Sequence, residues 1–201
     1  MRKEVRIAGF GGQGVILAGV ILAQAAGAVE GREVAQTQSY GPEARGGAAR
    51  CDVVISDQRI LYPKVRRPDI LLAMSGQALA KFGVGLDVAT GKVVVDSTFI
   101  SEIPEGLPPL YRLPATRLAE EEFKNRIVAN MVMLGALARV DGAVAFDSLK
   151  RAVAENVAPK FRDLNLAAMD RGYQAVEGPG LAPAGDPGAA SASGGGKGPV
   201  S

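Results

Sequence analysis

The opening 26 residues constrain the fold more than any other stretch. Glu4-Val-Arg-Ile-Ala8 reads as a short strand stopped by Gly9, and Gly9-Phe-Gly-Gly-Gln-Gly14 follows at once. Val15 to Ala26 is then Ala-rich and apolar nearly all round. A helix with no polar face has nothing to present to water and must be buried between other elements. A second strand is expected over residues 33–37, Glu-Val-Ala-Gln-Thr. Strand, helix, strand in that order is a βαβ unit, which implies a parallel pair. The expected fold is α/β: a three-layer α/β/α sandwich on a mostly parallel, mixed sheet, opening with a Rossmann-like βαβ unit.

Further elements follow at regular intervals. Residues 38–47 form a loop with three Gly and one Pro, and 48–56 resume as strand. Ile60-Leu-Tyr62 reads as a hairpin partner for that strand. Asp69–Met74, Lys92–Asp96 and Leu110–Leu113 are expected strands, and Gln77–Phe82 a short helix. From Thr116 the pattern turns helical, with Ile127, Met131, Leu134 and Ala138 at helical spacing. Asp147 is expected to cap a helix carrying Leu149, Val153 and Val157, and Asn165 to start a last one. The stretch 178–201 holds 8 Gly and 4 Pro, with Leu181 and Val200 as its only large apolar residues. Such a composition cannot offset ordering entropy, so one domain is expected over 1–177 and a disordered tail over 178–201.

Composition excludes several chemistries. There is no His, which removes Ser-His-Asp and Cys-His catalysis and His-ligated zinc. One Cys, Cys51, removes a disulfide, a redox pair and an iron–sulfur cluster held by this chain alone. Lys plus Arg total 23 against 21 Asp plus Glu, a net charge of +2. That balance argues against a nucleic-acid partner bound through phosphate contacts. Charges follow Lys3 closely, and no window of about 18 residues is apolar and free of Gly or charge, so neither a signal peptide nor a membrane span is expected. The chain reads as cytoplasmic, with no membrane partner.

Two segments carry the candidate chemistry. Gly9, Gly11 and Gly14 have the spacing of a dinucleotide loop, with Gly12 and Gln13 between them. Glycines let backbone approach an anion, and a helix N-terminus offers free N–H groups with a positive dipole end. An anion-binding role is favoured over a turn that needs Gly for packing alone. A nicotinamide site also wants an acid closing the second strand, and Gln36, Thr37 and Gln38 stand there instead. Glu30 and Glu33 precede or open that strand. A stand-alone NAD(P)- or flavin-binding protein is therefore the alternative reading. The second segment is the loop Ser39, Tyr40, Gly41 through Arg45, Gly46 and Gly47, which offers hydroxyls, flexible N–H groups and a guanidinium. Loops at strand carboxyl ends converge on the ligand crevice of an open α/β sheet, so this loop is expected beside the glycine turn.

Other residues read as structural. Lys64, Arg66 and Arg67, with Arg45 and Arg50, read as a solvated turn ahead of a positive face. Cys51 reads as a small buried hydrophobe. Asn125 and Asn130 flank the most apolar helix, and Asn130 is expected to bond a neighbouring loop. Asp69 and Asp96 sit at strand ends as turn or cap residues. No catalytic residue and no metal-ligand cluster stands out.

These motifs resemble a known family. The strand with Gly9–Gly14, the loop Gln38-Ser-Tyr-Gly-Pro-Glu-Ala-Arg-Gly-Gly47, the helix Asn125-Arg-Ile-Val-Ala-Asn-Met-Val-Met-Leu-Gly135 and the ending Asn165-Leu-Ala-Ala-Met-Asp-Arg-Gly-Tyr173 resemble the gamma subunit of 2-oxoacid:ferredoxin oxidoreductases. The likeness is collinear over about residues 4–176, and Ser-Tyr-Gly-Pro-Glu is most similar to the 2-oxoglutarate branch. The resemblance implies an oxidoreductase that converts a 2-oxoacid, coenzyme A and oxidised ferredoxin to acyl-CoA, CO2 and reduced ferredoxin. It implies thiamine diphosphate, Mg2+ and iron–sulfur clusters on alpha, beta and possibly delta partner subunits, with ferredoxin as acceptor and no cofactor held by this chain alone. By the same resemblance, Gly9, Gly11, Gly12, Gln13, Gly14, Ser39, Tyr40, Gly41, Arg45, Gly46 and Gly47 are candidates for contacting coenzyme A or lining the mouth of the thiamine site. Exposed apolar faces needed for assembly should make the isolated chain self-associate.

Overall fold

A computed structural model describes residues 1–39 and 48–182. Its strands are β1 (Arg2–Phe10), β2 (Glu33–Ser39), β3 (Ala48–Ser56), β4 (Ile70–Ala73), β5 (Lys92–Asp96) and β6 (Leu110–Leu113). Its helices are α1 (Val15–Gln24), α2 (Gly76–Phe82), α3 (Ala115–Phe123), α4 (Ala129–Asp141), α5 (Phe146–Asn156) and α6 (Pro159–Ala175). A π turn, Ala25–Val29, extends α1, and a 3-10 turn, Arg126–Val128, leads into α4.

The sheet has six strands in the order β2-β3-β1-β4-β5-β6. The pairs β1–β4, β4–β5 and β5–β6 are parallel, and β3 is antiparallel to both β1 and β2. The sheet is therefore mixed and mostly parallel, as expected, but the opening βαβ unit is split. β2 runs in the same sense as β1, and β3 lies between them instead of the two pairing directly. The reason is in the side chains. β3 carries Cys51, Val53, Val54 and Ile55, all fully buried, and takes an inner position. β2 carries Gln36, Thr37 and Gln38, is nowhere fully buried, and takes the edge.

Strand alternation assigns two faces. Val5, Ile7, Cys51, Val53, Ile70, Leu72 and Val94 point into the larger core, shared with α1 and α3 to α6. Ala8, Leu71, Ala73, Val93 and Val95 point into a smaller core with Ala78, Leu79 and Phe82 of α2. The second helical layer is thus a single short helix with its adjoining loops.

Close approaches fix the larger layer. A Cβ on Gly135 of α4 would overlap the Met169 carbonyl oxygen, and one on Gly172 of α6 would overlap that of Val132. The two helices therefore cross backbone to backbone. On α1, a Cβ at Gly19 would overlap the Cys51 sulfur on β3. Both contacts explain why glycine, a poor helix former, sits inside these helices.

Some local expectations differ from the structure. Ile60–Tyr62 forms no strand. The α5 N-cap is Ala145, with Asp147 in the first turn. α6 starts at Pro159, whose fixed φ suits a first helical position, so Asn165 lies mid-helix and donates to the Phe161 carbonyl at 2.8 Å. Past α6, Glu177 bridges Arg112 on the β6 edge, Gly178 abuts the Tyr111 ring, and Leu181 packs on the larger core. No helix among the described residues is long and apolar enough to cross a membrane.

Candidate functional site

The parallel strands β1, β4, β5 and β6 all end at one edge of the sheet, and the glycine turn caps β1 there. Gln13 holds the turn together. Its side-chain oxygen accepts from the Phe10 N–H at 2.6 Å, and its Nε2 donates to the Met74 carbonyl at 2.9 Å, just past β4. A Cβ at Gly9 would overlap that Gln13 oxygen. Gly9 and Gln13 therefore serve the turn's own packing. Gly14 is the α1 N-cap, at φ +72, and Asn130 of α4 donates to its carbonyl at 3.2 Å. Asn130 is buried, so α1 and α4 start from a shared tie, as expected for a structural asparagine.

Gly11 and Gly12 differ from their neighbours. A Cβ at either would meet nothing within 4 Å, and Gly12 has φ +93. They face open space, and the first-turn N–H groups of α1 beside them have no intrahelical acceptor. No side chain caps that helix end, and no acid lies in its first turn. This is a backbone surface with positive partial charge.

Arg126, assigned no role by the sequence reading, completes the arrangement. It sits in the 3-10 turn before α4, which Asn125 caps by accepting from the Ile127 N–H at 3.1 Å. Its guanidinium lies 5.2 Å from the Phe99 ring centroid. A cleft of about 280 Å³ is lined by Phe10, Gly11, Gly12, Gln13, Phe99 and Arg126. A smaller one of about 100 Å³ continues past Gly12, Gln13 and Arg126 to Met74, Thr116 and Ile127. Glu120 stands 3.6 Å from Arg126, but both side chains are half exposed or more, so this pair competes weakly with a ligand anion. No periodicity marks Arg126; only the fold brings it to the turn.

The second expected segment is placed by its ends. Ser39 closes β2 opposite Arg50, and Ala48 opens β3 opposite Phe10. The loop thus leaves and returns at the glycine-turn edge, its return directly beside Phe10. Tyr40, Gly41, Arg45, Gly46 and Gly47 lie outside the described residues. A nicotinamide site fares worse. The second strand ends two places away from β1, roughly 10 Å across the sheet, and without an acid.

The remaining candidates are structural. Asp96 is buried and accepts from the Thr98 and Thr116 N–H groups and the Thr116 hydroxyl, tying β5 to α3. Asp69 accepts from the Glu4 N–H at 2.6 Å. Arg50 pairs with Asp52 at 3.7 Å, whereas Arg66 and Arg67 lie near Glu4 at the opposite end of β1. Arg50 therefore does not share one positive face with Arg66 and Arg67, and Arg45 lies outside the described residues. Cys51 is buried, and burial, countered by a hydrogen bond from Gln36, raises its thiol above the usual range. It is no nucleophile. Among the described residues, no three His, Cys, Asp or Glu side chains are grouped to hold a metal.

The profile of the Pyruvate ferredoxin/flavodoxin oxidoreductase family matches residues 4–175. This chain belongs to that family. It is an oxidoreductase subunit, and the fold has the same neighbours. The 2-oxoglutarate synthase subunit KorC of Methanocaldococcus jannaschii is 48% identical over 179 residues, covering 88% of this chain and 95% of that one. The gamma subunit of a keto/oxoacid ferredoxin oxidoreductase from Geobacter sulfurreducens superposes with TM-score 0.80 at 36% identity, covering 87% and 96%. A 2-oxoglutarate:ferredoxin oxidoreductase from Magnetococcus marinus, solved with 2-oxoglutarate, coenzyme A and succinyl-CoA bound, superposes with TM-score 0.74 at 27% identity. It covers 86% of this chain and 30% of the longer one. Iron–sulfur clusters do not fit the residues here: the one Cys is buried in β3 against Gln36, and there is no His.

Proposed function

We propose that this chain is the gamma subunit of a 2-oxoglutarate:ferredoxin oxidoreductase, and that its glycine turn with Arg126 binds one end of coenzyme A. The observation that carries the site is the cleft between Gly11–Gly12 and Arg126. Gly11 and Gly12 line it beside the uncapped start of α1, and Arg126, whose guanidinium lies 5.2 Å from the Phe99 ring centroid, lines it as well. Such a pair suits a phosphate group. At about 280 Å³ the cleft lies below the usual size of a complete ligand site. It holds part of a large ligand, and the rest extends onto companion subunits that carry thiamine diphosphate, Mg2+ and the clusters. Tyr40, Gly41, Arg45, Gly46 and Gly47 are proposed to contact the same ligand or to line the mouth of the thiamine site. The coenzyme A in the Magnetococcus marinus relative supports this choice of ligand.

Phe10, Leu17, Phe99 and Ile127 are exposed at or beside this edge. They supply the apolar rim through which the chain seats on the thiamine-bearing subunits, so the cleft lies at the mouth of a shared active site. Ferredoxin receives electrons elsewhere in the complex.

The test is steady-state kinetics of the assembled enzyme carrying Arg126→Gln. Losing one charge-assisted contact is expected to raise the KM for coenzyme A roughly ten- to a hundredfold, with the KM for 2-oxoglutarate unchanged. An unchanged coenzyme A KM sinks the site assignment.

A further inference from the structure

A second surface lies at the other end of the molecule. β1 has nine residues, so Arg2 stands about 26 Å from Phe10 and the glycine turn. At that far end the segment joining β3 to β4 is pinned in place. Glu4 accepts from the Arg66 and Arg67 N–H groups at 3.0 and 3.3 Å. Arg2 donates to the Tyr62 carbonyl at 3.0 Å, and Val65 is buried beneath. What this rigid segment shows to solvent is unusual. Leu61 is 86% exposed and Tyr62 50% exposed. Arg59, Lys64, Arg66 and Arg67 surround them in sequence, all exposed, and none forms an ion pair among the described residues. The nearby acids are already engaged. Glu4 takes the donors named above and Arg2, Asp69 takes the Glu4 N–H, and Asp57 takes Arg32 and the chain amino group.

We propose that this segment is a docking surface for the acidic face of a companion subunit, with Leu61 and Tyr62 as the apolar anchor and the four cations as its rim. An exposed aromatic and an aliphatic side chain inside a basic border have the composition of an interface centre and its rim. The chain as a whole is nearly neutral, so this concentration of charge is local. A nucleic-acid surface would need a longer basic stripe, and the pinned backbone is unlike a flexible polybasic membrane segment. An electron carrier must dock beside a redox centre, and this chain has no ligand set for one. The occupant is therefore a structural partner of the complex. The proposal rests on the subunit reading above.

The test is association of the purified full chain with its purified companion subunits, followed at several salt concentrations. Lys64→Gln, Arg66→Gln and Arg67→Gln are combined in one variant, and Leu61→Ala with Tyr62→Ala in another. Circular dichroism verifies that both fold. The charge variant is expected to bind roughly tenfold or more weakly at low salt, with a flatter salt dependence than the native chain. The apolar variant is expected to weaken binding with an unchanged salt dependence. Unchanged association in both variants overturns the docking surface and leaves the subunit reading intact. Failure of the native chain to associate overturns both. Loss of binding to anionic vesicles or single-stranded DNA alone assigns the surface to a different class of partner and overturns the proposal.

Discussion

Gln13 and Asn130 show how polar side chains fix the backbone around the site. Each is engaged by backbone on both sides of the glycine turn or at its helix start. Asn130→Ala leaves the Gly14 carbonyl without its side-chain donor and opens a cavity in a buried position. It is expected to cost about 1–3 kcal/mol by denaturant unfolding. Gln13 is a ligand candidate on sequence; the structure adds a bracing role that spacing alone does not reveal, at a residue that also lines the cleft. Cys51 makes the opposite point, since its inert role was legible from the absence of any partner residue. Its thiol, raised by burial, is expected to resist a thiol reagent in the native chain and to react on unfolding. The pH dependence follows. Below about 8.5 the thiol is neutral in both states and contributes nothing. Above it the unfolded thiol ionises first, so stability falls as pH rises, and Cys51→Ser removes that part of the slope.

Elements were legible where their periodicity was long and failed where boundary chemistry decided. All six strands and the helices α1, α2 and α4 fall within a few residues of their expected positions, because apolar runs between Gly and Pro signals leave little choice. β1 begins earlier than expected, at Arg2. The start of α6 was missed because Pro159 opens it ahead of the apolar repeat. The α4–α6 crossing was invisible, since a glycine inside a helix reads as a defect until its neighbour is known. Gly172→Ala is expected to force the helices apart and cost about 3 kcal/mol or more, measured by chemical denaturation. Gly135→Ala acts on the same crossing, so the double variant should lose less than the sum. On the other face, Arg6 and Asp52 face each other across β1 and β3 at 2.7 and 2.9 Å, both largely buried. Asp52→Ala strands a buried guanidinium and is expected to cost roughly 3–5 kcal/mol. Arg6→Met combined with Asp52→Leu should recover most of that loss.

At the scale of the whole molecule, the chain has one helical layer far thicker than the other and an apolar rim at the carboxyl edge of its sheet. The rim is the price of assembly. In isolation the chain is expected to self-associate in light scattering after size exclusion. Phe99→Ser with Ile127→Ser should shift it toward monomer while weakening capture of its companion subunits. A native chain that stays monomeric at high concentration would remove the rim's role.

The fold class, the family and the glycine turn followed from the sequence itself, because hydrophobic periodicity and glycine spacing are local properties written along the chain. The absence of cluster ligands was equally plain, since it is a matter of composition. Tertiary structure decided what depends on neighbours. It placed β3 between β1 and β2, because burial ranks strands against one another. It brought Arg126 and Phe99 to Gly11 and Gly12 from more than 80 residues away in the chain. It also sent Arg66 and Arg67 to the opposite end of the molecule from Arg50, since a strand separates in space what a short loop keeps close in sequence.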